Sequence, residues 1–127
     1  AKERRYQGEN RQIALARLRL ELALNVRETE NLKREFVETG VLDLRSFRWY
    51  KRLDKNKICV SAEHIDYPVL IAEFFDVYEV LDGNLSEAAS YLHTTVSQIV
   101  HCLSRVPKAL ETINRKRTEQ GLRRLRP

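Results

Sequence analysis

The intrinsically reactive residues of this 127-residue chain are two thiols, Cys59 and Cys102, and three imidazoles, His64, His93 and His101. Zinc and redox sites need such groups at close spacing, CxxC above all, and these five are not so arranged. His101 and Cys102 are neighbours, but on a helix adjacent side chains point about 100° apart and cannot form a dyad. Gly8, Gly40, Gly83 and Gly121 are isolated, so no glycine-rich loop cradles a phosphate. No Ser-His-Asp order and no acid pair in an apolar setting points to a hydrolase. We therefore expect no metal site, no cofactor and no catalytic residue. Widely spaced thiols suit an intracellular, reducing compartment, cytoplasm or organelle matrix. The sequence shows no signal peptide and no apolar span near the roughly 20 residues that a membrane helix needs.

Charge says more. The net charge is +5, unevenly distributed. Residues 1–20 set six Lys/Arg against Glu3 and Glu9, and residues 105–127 set eight against Glu111 and Glu119. Residues 58–104 contain no Lys or Arg but carry Glu63, Asp66, Glu73, Asp76, Glu79, Asp82 and Glu87. Basic ends suggest phosphate contacts, and the acidic 58–104 stretch suggests a basic protein partner. Between them, Phe47, Trp49 and Tyr50 interleave with Arg45, Arg48, Lys51 and Arg52. Such a mixture can stack bases and neutralise phosphates, with Trp49 and Tyr50 as the stacking rings, or can anchor a connecting segment to its neighbours.

These residues must be positioned by helices. In ALARLRLELALNV the apolar residues alternate as in a strand, yet Leu15, Leu18, Leu22 and Val26 also form a helical stripe. Ala, Leu, Arg and Glu dominate, so the stretch predicts one long helix from about Asn10 to Glu38, closed by Thr39 and Gly40. Leu20 and Leu24 widen its apolar face, and an irregular ERRYQGEN precedes it. Residues 41–61 show no stripe, and DKNK reads as a turn between short extended pieces. Pro68 opens a helix with Ile71, Phe74, Phe75, Tyr78 and Leu81 inward, ended by Asp82 and Gly83. Asn84 with Glu87, and Thr95 with Gln98, are capping pairs for two more helices. Pro107 opens the last, with Leu110 and Ile113 inward, followed by a frayed basic EQGLRRLRP. The expected fold is mainly α: a long N-terminal amphipathic helix (1–40), a short basic extended linker or hairpin (41–61), and a compact four-helix C-terminal module (62–127) containing a helix-turn-helix-like pair.

Two resemblances follow. GNLSEAASYLHTTVSQIVHCLSRV resembles the helix-turn-helix of Fis-type bacterial regulators at Gly83, Asn84, Ser86, Ala88, Ala89, Leu92, Ile99 and Leu103. It differs in carrying His93 where the turn commonly has glycine, and in a recognition helix, Val96 to Ser104, without a cation. Only Ser97, Gln98 and His101 are there to read bases. ERRYQGENRQIALARLRLELAL resembles the end of the catalytic domain of class I peptide chain release factors and related ribosome-rescue factors. The resemblance is carried by Glu3, Arg4, Gln7, Asn10, Arg11, Ala14 and Leu18, with Tyr6 replacing the usual serine and Gly8 a frequent histidine. INRKRTEQGLRRL resembles the helical C-terminal module of some members through Asn114, Arg117, Gly121, Leu122 and Leu125, with Arg124 where proline is common.

The second resemblance implies a ribosome- or RNA-associated protein of the translation termination or ribosome-rescue family. That family's catalytic Gly-Gly-Gln loop is absent from this chain, and the resemblance places it upstream of Ala1. The chain as given is thus not expected to hydrolyse peptidyl-tRNA. Candidate RNA contacts are Arg4, Arg5, Gln7, Asn10, Arg11, Arg17 and Arg19 at one end and Arg115, Lys116, Arg117, Arg123, Arg124 and Arg126 at the other. Ribosomal RNA or the ribosome is the expected partner. The alternatives are a DNA-binding helix-turn-helix transcriptional regulator or a structural subunit of a ribonucleoprotein.

Overall fold

The computed structural model describes residues 2–58 and 60–127, with side chains from Gly8 onward. The side chains of Arg4, Arg5 and Gln7, and all of Cys59, lie outside the described residues. The chain is mainly helical: α1 (Lys2–Asn25), α2 (Glu30–Thr39), a 3₁₀ turn (Arg48–Arg52), strands β1 (Leu53–Asp54) and β2 (Lys57–Ile58), then α3 (Tyr67–Val80), α4 (Leu85–Tyr91), α5 (Val96–Ser104) and α6 (Pro107–Glu119).

Helix α3 is the axis of the fold. Its sequence, YPVLIAEFFDVYEV, is apolar almost all round, and such a helix is stable only when surrounded. Leu70, Ile71, Phe74 and Val77 are wholly buried in it, with α1, α2, α4 and the 3₁₀ turn packed against it. Pro68 sits in its first turn, where a missing N–H costs nothing.

The long N-terminal helix is bent. It breaks between Asn25 and Glu30, and the backbone of ERRYQGEN is helical rather than irregular. Three residues fix the break. The Arg27 guanidinium lies over the Phe75 ring, 5.5 Å from its centre, pairs with Asp76 at 3.1 Å and donates to the Ala72 carbonyl. The Glu28 amide faces Asp76 at 3.4 Å, and the Thr29 hydroxyl donates to Glu79 at 3.1 Å. Holding three successive residues against α3 is incompatible with a continuous helical path. The stripe is also reversed from expectation: Ala23 and Leu24 are buried and Leu20 partly so, whereas Leu15, Leu18, Leu22 and Val26 are each about half exposed. The strand-like alternation places apolar residues on both sides of one helix, and α3 takes the side of Leu20 and Leu24.

Residues 41–61 do form the predicted hairpin at DKNK, with Leu53 opposite Ile58 and Asp54 opposite Lys57. They are not a linker, because Leu42, Leu44, Trp49, Ile58 and Val60 belong to the same buried cluster as α3. Glu73 of α3 caps the 3₁₀ turn, accepting from the Arg48 and Trp49 amides at 2.8 and 2.9 Å. Trp49 is 1% exposed, stacks on Phe74 and donates its indole N–H to the Leu92 carbonyl at 2.9 Å. The base-stacking role expected of it needs an open ring face, which packing denies.

Both expected capping residues act: Asn84 accepts from the Glu87 amide and Thr95 from the Gln98 amide. Between α4 and α5 the chain turns at His93, whose φ of +54° is the left-handed conformation that the missing glycine would adopt freely. The C-terminal tail is not frayed. Gly121, at φ +75°, lets the Leu122 amide reach back to the Arg117 carbonyl at 2.8 Å, closing α6. Asn114 then clasps the returning chain, accepting from the Leu125 amide at 2.6 Å and donating to its carbonyl at 3.1 Å.

Candidate nucleic-acid interface

The cations of this chain fall into two populations. The first is engaged inside the fold. Besides Arg27, Arg48 and Arg52 converge on Asp66, the closest approaches being 2.8 and 2.6 Å. Arg105 donates to the Val60 carbonyl at 2.5 Å, and Lys33 lies 3.8 Å from Glu79. The acids they meet include Asp66, Asp76 and Glu79 of the acidic stretch, while Glu73 serves as a cap. Part of the acidic stretch is thus satisfied within the chain itself, whereas Glu63, Asp82 and Glu87 remain exposed.

Burial and pairing leave their mark on these acids. The Arg52 and Arg48 guanidiniums hold the Asp66 carboxyl below its usual value, with hydrogen bonding from Arg52 the main cause. Burial instead pushes Glu73 and Asp76 up, against the hydrogen bonds and cations around them. Burial also raises the Cys102 thiol to about 11, so it is an inert core group rather than a nucleophile.

The second population has no carboxylate partner. Asn10, Arg11, Arg17 and Arg19 are exposed on the outer half of α1, and none of these arginines is ion-paired among the described residues. At the other end Arg115, Arg123, Arg124 and Arg126 are exposed and Lys116 and Arg117 half-buried, again without an ion pair among the described residues. Arg117 uses one N–H on the Arg123 carbonyl, which steadies the turn. Because the clasped tail runs back beside α6, Arg124 shares a groove with Leu110, Glu111 and Arg115. Lys108, in the first turn of α6, is ion-paired to Glu21 of α1. This pair ties the start of α6 to the C-terminal half of α1.

The other candidate contacts fare differently. Tyr50 is partly buried, its hydroxyl donating to the Tyr91 carbonyl at 2.6 Å and its ring meeting His93 edge-on. It borders an open depression with Val41, Leu42, Arg45 and His93. On α5, Ser97 and His101 are exposed and Gln98 half-exposed, and Arg105, just past its end, is engaged by Val60. The helix itself carries no Lys or Arg. Among the described residues no three His, Cys, Asp or Glu gather as metal ligands, and no helix is long and apolar enough to cross a membrane. No family model matches the chain, and no curated protein or solved structure does.

Sequence reasoning missed the role of Asn114, Gly121 and Leu125 as the clasp that orders the basic tail. An Asn inside an amphipathic helix, followed by Gly-Leu and a further Leu, was the available signal.

Proposed function

We propose that the chain is a non-catalytic, RNA-associated protein of the release-factor-like kind, working at the ribosome and therefore inside the cell. The observation that carries this reading is the separation of its cations. Those that stabilise the fold are engaged by acids and carbonyls, while Arg11, Arg17, Arg19, Arg123, Arg124 and Arg126 stand exposed without an ion pair among the described residues. Unpaired, solvated guanidiniums lose little on meeting phosphate and release condensed counterions from RNA. The likeness of ERRYQGENRQIALARLRL to the release-factor segment supports RNA over DNA, and so does a cation-free α5.

The test is co-sedimentation with ribosomes across a salt series. The proposal expects binding that weakens steeply with salt, and a loss in the Arg11→Gln, Arg17→Gln, Arg19→Gln triple variant with melting unchanged. Absence of binding at low salt, or binding indifferent to salt, would overturn it. Recovery at one copy per particle through stringent washing would mark a permanent ribonucleoprotein subunit rather than a transient factor.

A further inference from the structure

We infer that the outer face of α1 and the start of α3 form a docking groove for an acidic amphipathic helix of another protein. Leu15, Leu18, Leu22 and Val26 are 50%, 55%, 51% and 49% exposed and lie along one side of α1, at i, i+3, i+7 and i+11. Ile65 and Val69, 64% and 37% exposed, stand opposite Leu22 and Val26. Between these rows runs an open groove of about 660 Å³ in which Ala23 and Ala72 take part. Small residues between two aliphatic walls admit the ridge of a third helix, and the stripe on α1 has the spacing of such a ridge.

Charge selects the occupant. Arg11 and Arg19 are exposed cations beside the stripe, Glu21 on its other flank is neutralised by Lys108, and Arg48 borders the groove beside Asp66. Asp66 is shared by Arg48 and Arg52, and Glu73 also faces Arg48, so that cluster is balanced and the cations beside the α1 stripe set the sign. Asp76, also at the groove, is neutralised by Arg27. Glu28 is the one remaining acid there. A second copy of this chain would present the same arginine-bearing stripe to itself, a like-charge arrangement. A partner with leucines inward and glutamates at its flanks pairs with both features. The concave shape favours a helix over a flat lipid surface, which would meet the stripe of α1 without filling the groove.

The experiment uses the whole chain and a synthetic helix with leucines at i, i+3, i+7 and i+11 and glutamates flanking them, compared with the same helix flanked by lysines. The glutamate helix is expected to bind, more weakly at high salt, while the lysine helix does not. Leu22→Asn is expected to weaken binding about tenfold, the loss of one buried leucine, with unchanged melting and unchanged RNA binding. Val37→Asn, at an 84% exposed position on α2, leaves it alone. Equal binding of both helices, or of neither, overturns the inference. So does a concentration-dependent dimer that Leu22→Asn dissolves, or a face that takes up anionic vesicles but no glutamate helix. Because Leu22→Asn leaves the arginines in place, failure here is separable from failure of the RNA reading.

Discussion

The two halves of α1 share a composition and differ in every relationship. From Leu20 to the end of α1 and into the break, the inward residues meet α3: Ala23 and Leu24 enter the core, and Arg27, just past the helix, finds a ring, a carboxylate and a carbonyl. From Gly8 to Arg19 the helix is exposed on all sides, arginines and aliphatics alike. The difference comes from what lies opposite. The acids of α3 engage the cations that reach it, and the apolar surface of α3 covers one side of the apolar stripes. Beyond its reach the same residue types remain open to ligands. Arginine is therefore engaged by the fold in one half and left open to solvent in the other, and composition alone does not separate the two.

The comparison can be broken at its docked side first. Trp49→Ala should cost about 3–5 kcal/mol in urea unfolding, since it empties a fully packed site and orphans the Leu92 carbonyl. A loss below about 1 kcal/mol would mean that the 41–61 segment does not belong to the core. Asn114→Ala should cost about 1–2 kcal/mol and free the tail. Amide exchange at Leu125 would then rise to that of an open chain while α3 stays protected. Unchanged exchange would refute the clasp.

The smallest effect is electrostatic. Glu73 and Asp76 are raised by burial, so the folded state binds their protons more tightly than the unfolded chain. Their contribution to stability is complete below their ordinary values of 4.5 and 3.8, and is lost as pH rises through the raised values. Asp66 is held low, so its contribution is present above its ordinary 3.8 and is lost as pH falls through its lowered value. Stability should therefore rise gently on acidification from neutrality and fall at lower pH. Glu73→Gln should flatten the first part of that profile, and a profile that falls throughout would contradict the raised values.

Much of this was legible in local sequence. Pro68, Asn84, Thr95 and Pro107 mark helix starts because first-turn chemistry is local, and DKNK marks the hairpin for the same reason. Which side of α1 faces inward was not legible, because its period-2 alternation gives both faces leucines and only the position of α3 decides. The bend at Val26–Thr29 was hidden likewise: its determinants, Ala72, Asp76 and Glu79, are more than 40 residues away in sequence. The arginines around Trp49 left both base stacking and anchoring open to it, and the carbonyl that satisfies its indole N–H, far away in sequence, is revealed by no local pattern. For the candidate interface, the residue types and the basic ends were visible, whereas the fold-back that brings the tail alongside α6 was not.

The most direct test of the division between engaged and open cations is the salt dependence of binding to ribosomal RNA, measured beside thermal melting for two variants. The Arg11→Gln, Arg17→Gln, Arg19→Gln protein should lose about 2 to 3 from the slope of log affinity against log salt, roughly 0.7–0.9 per phosphate contact, with melting unchanged. Arg27→Gln should keep the slope and lose about 1–3 kcal/mol of stability, because it leaves Asp76 unpaired. A triple variant that binds as the parent does, or an Arg27 variant whose slope falls with its stability intact, would contradict the account.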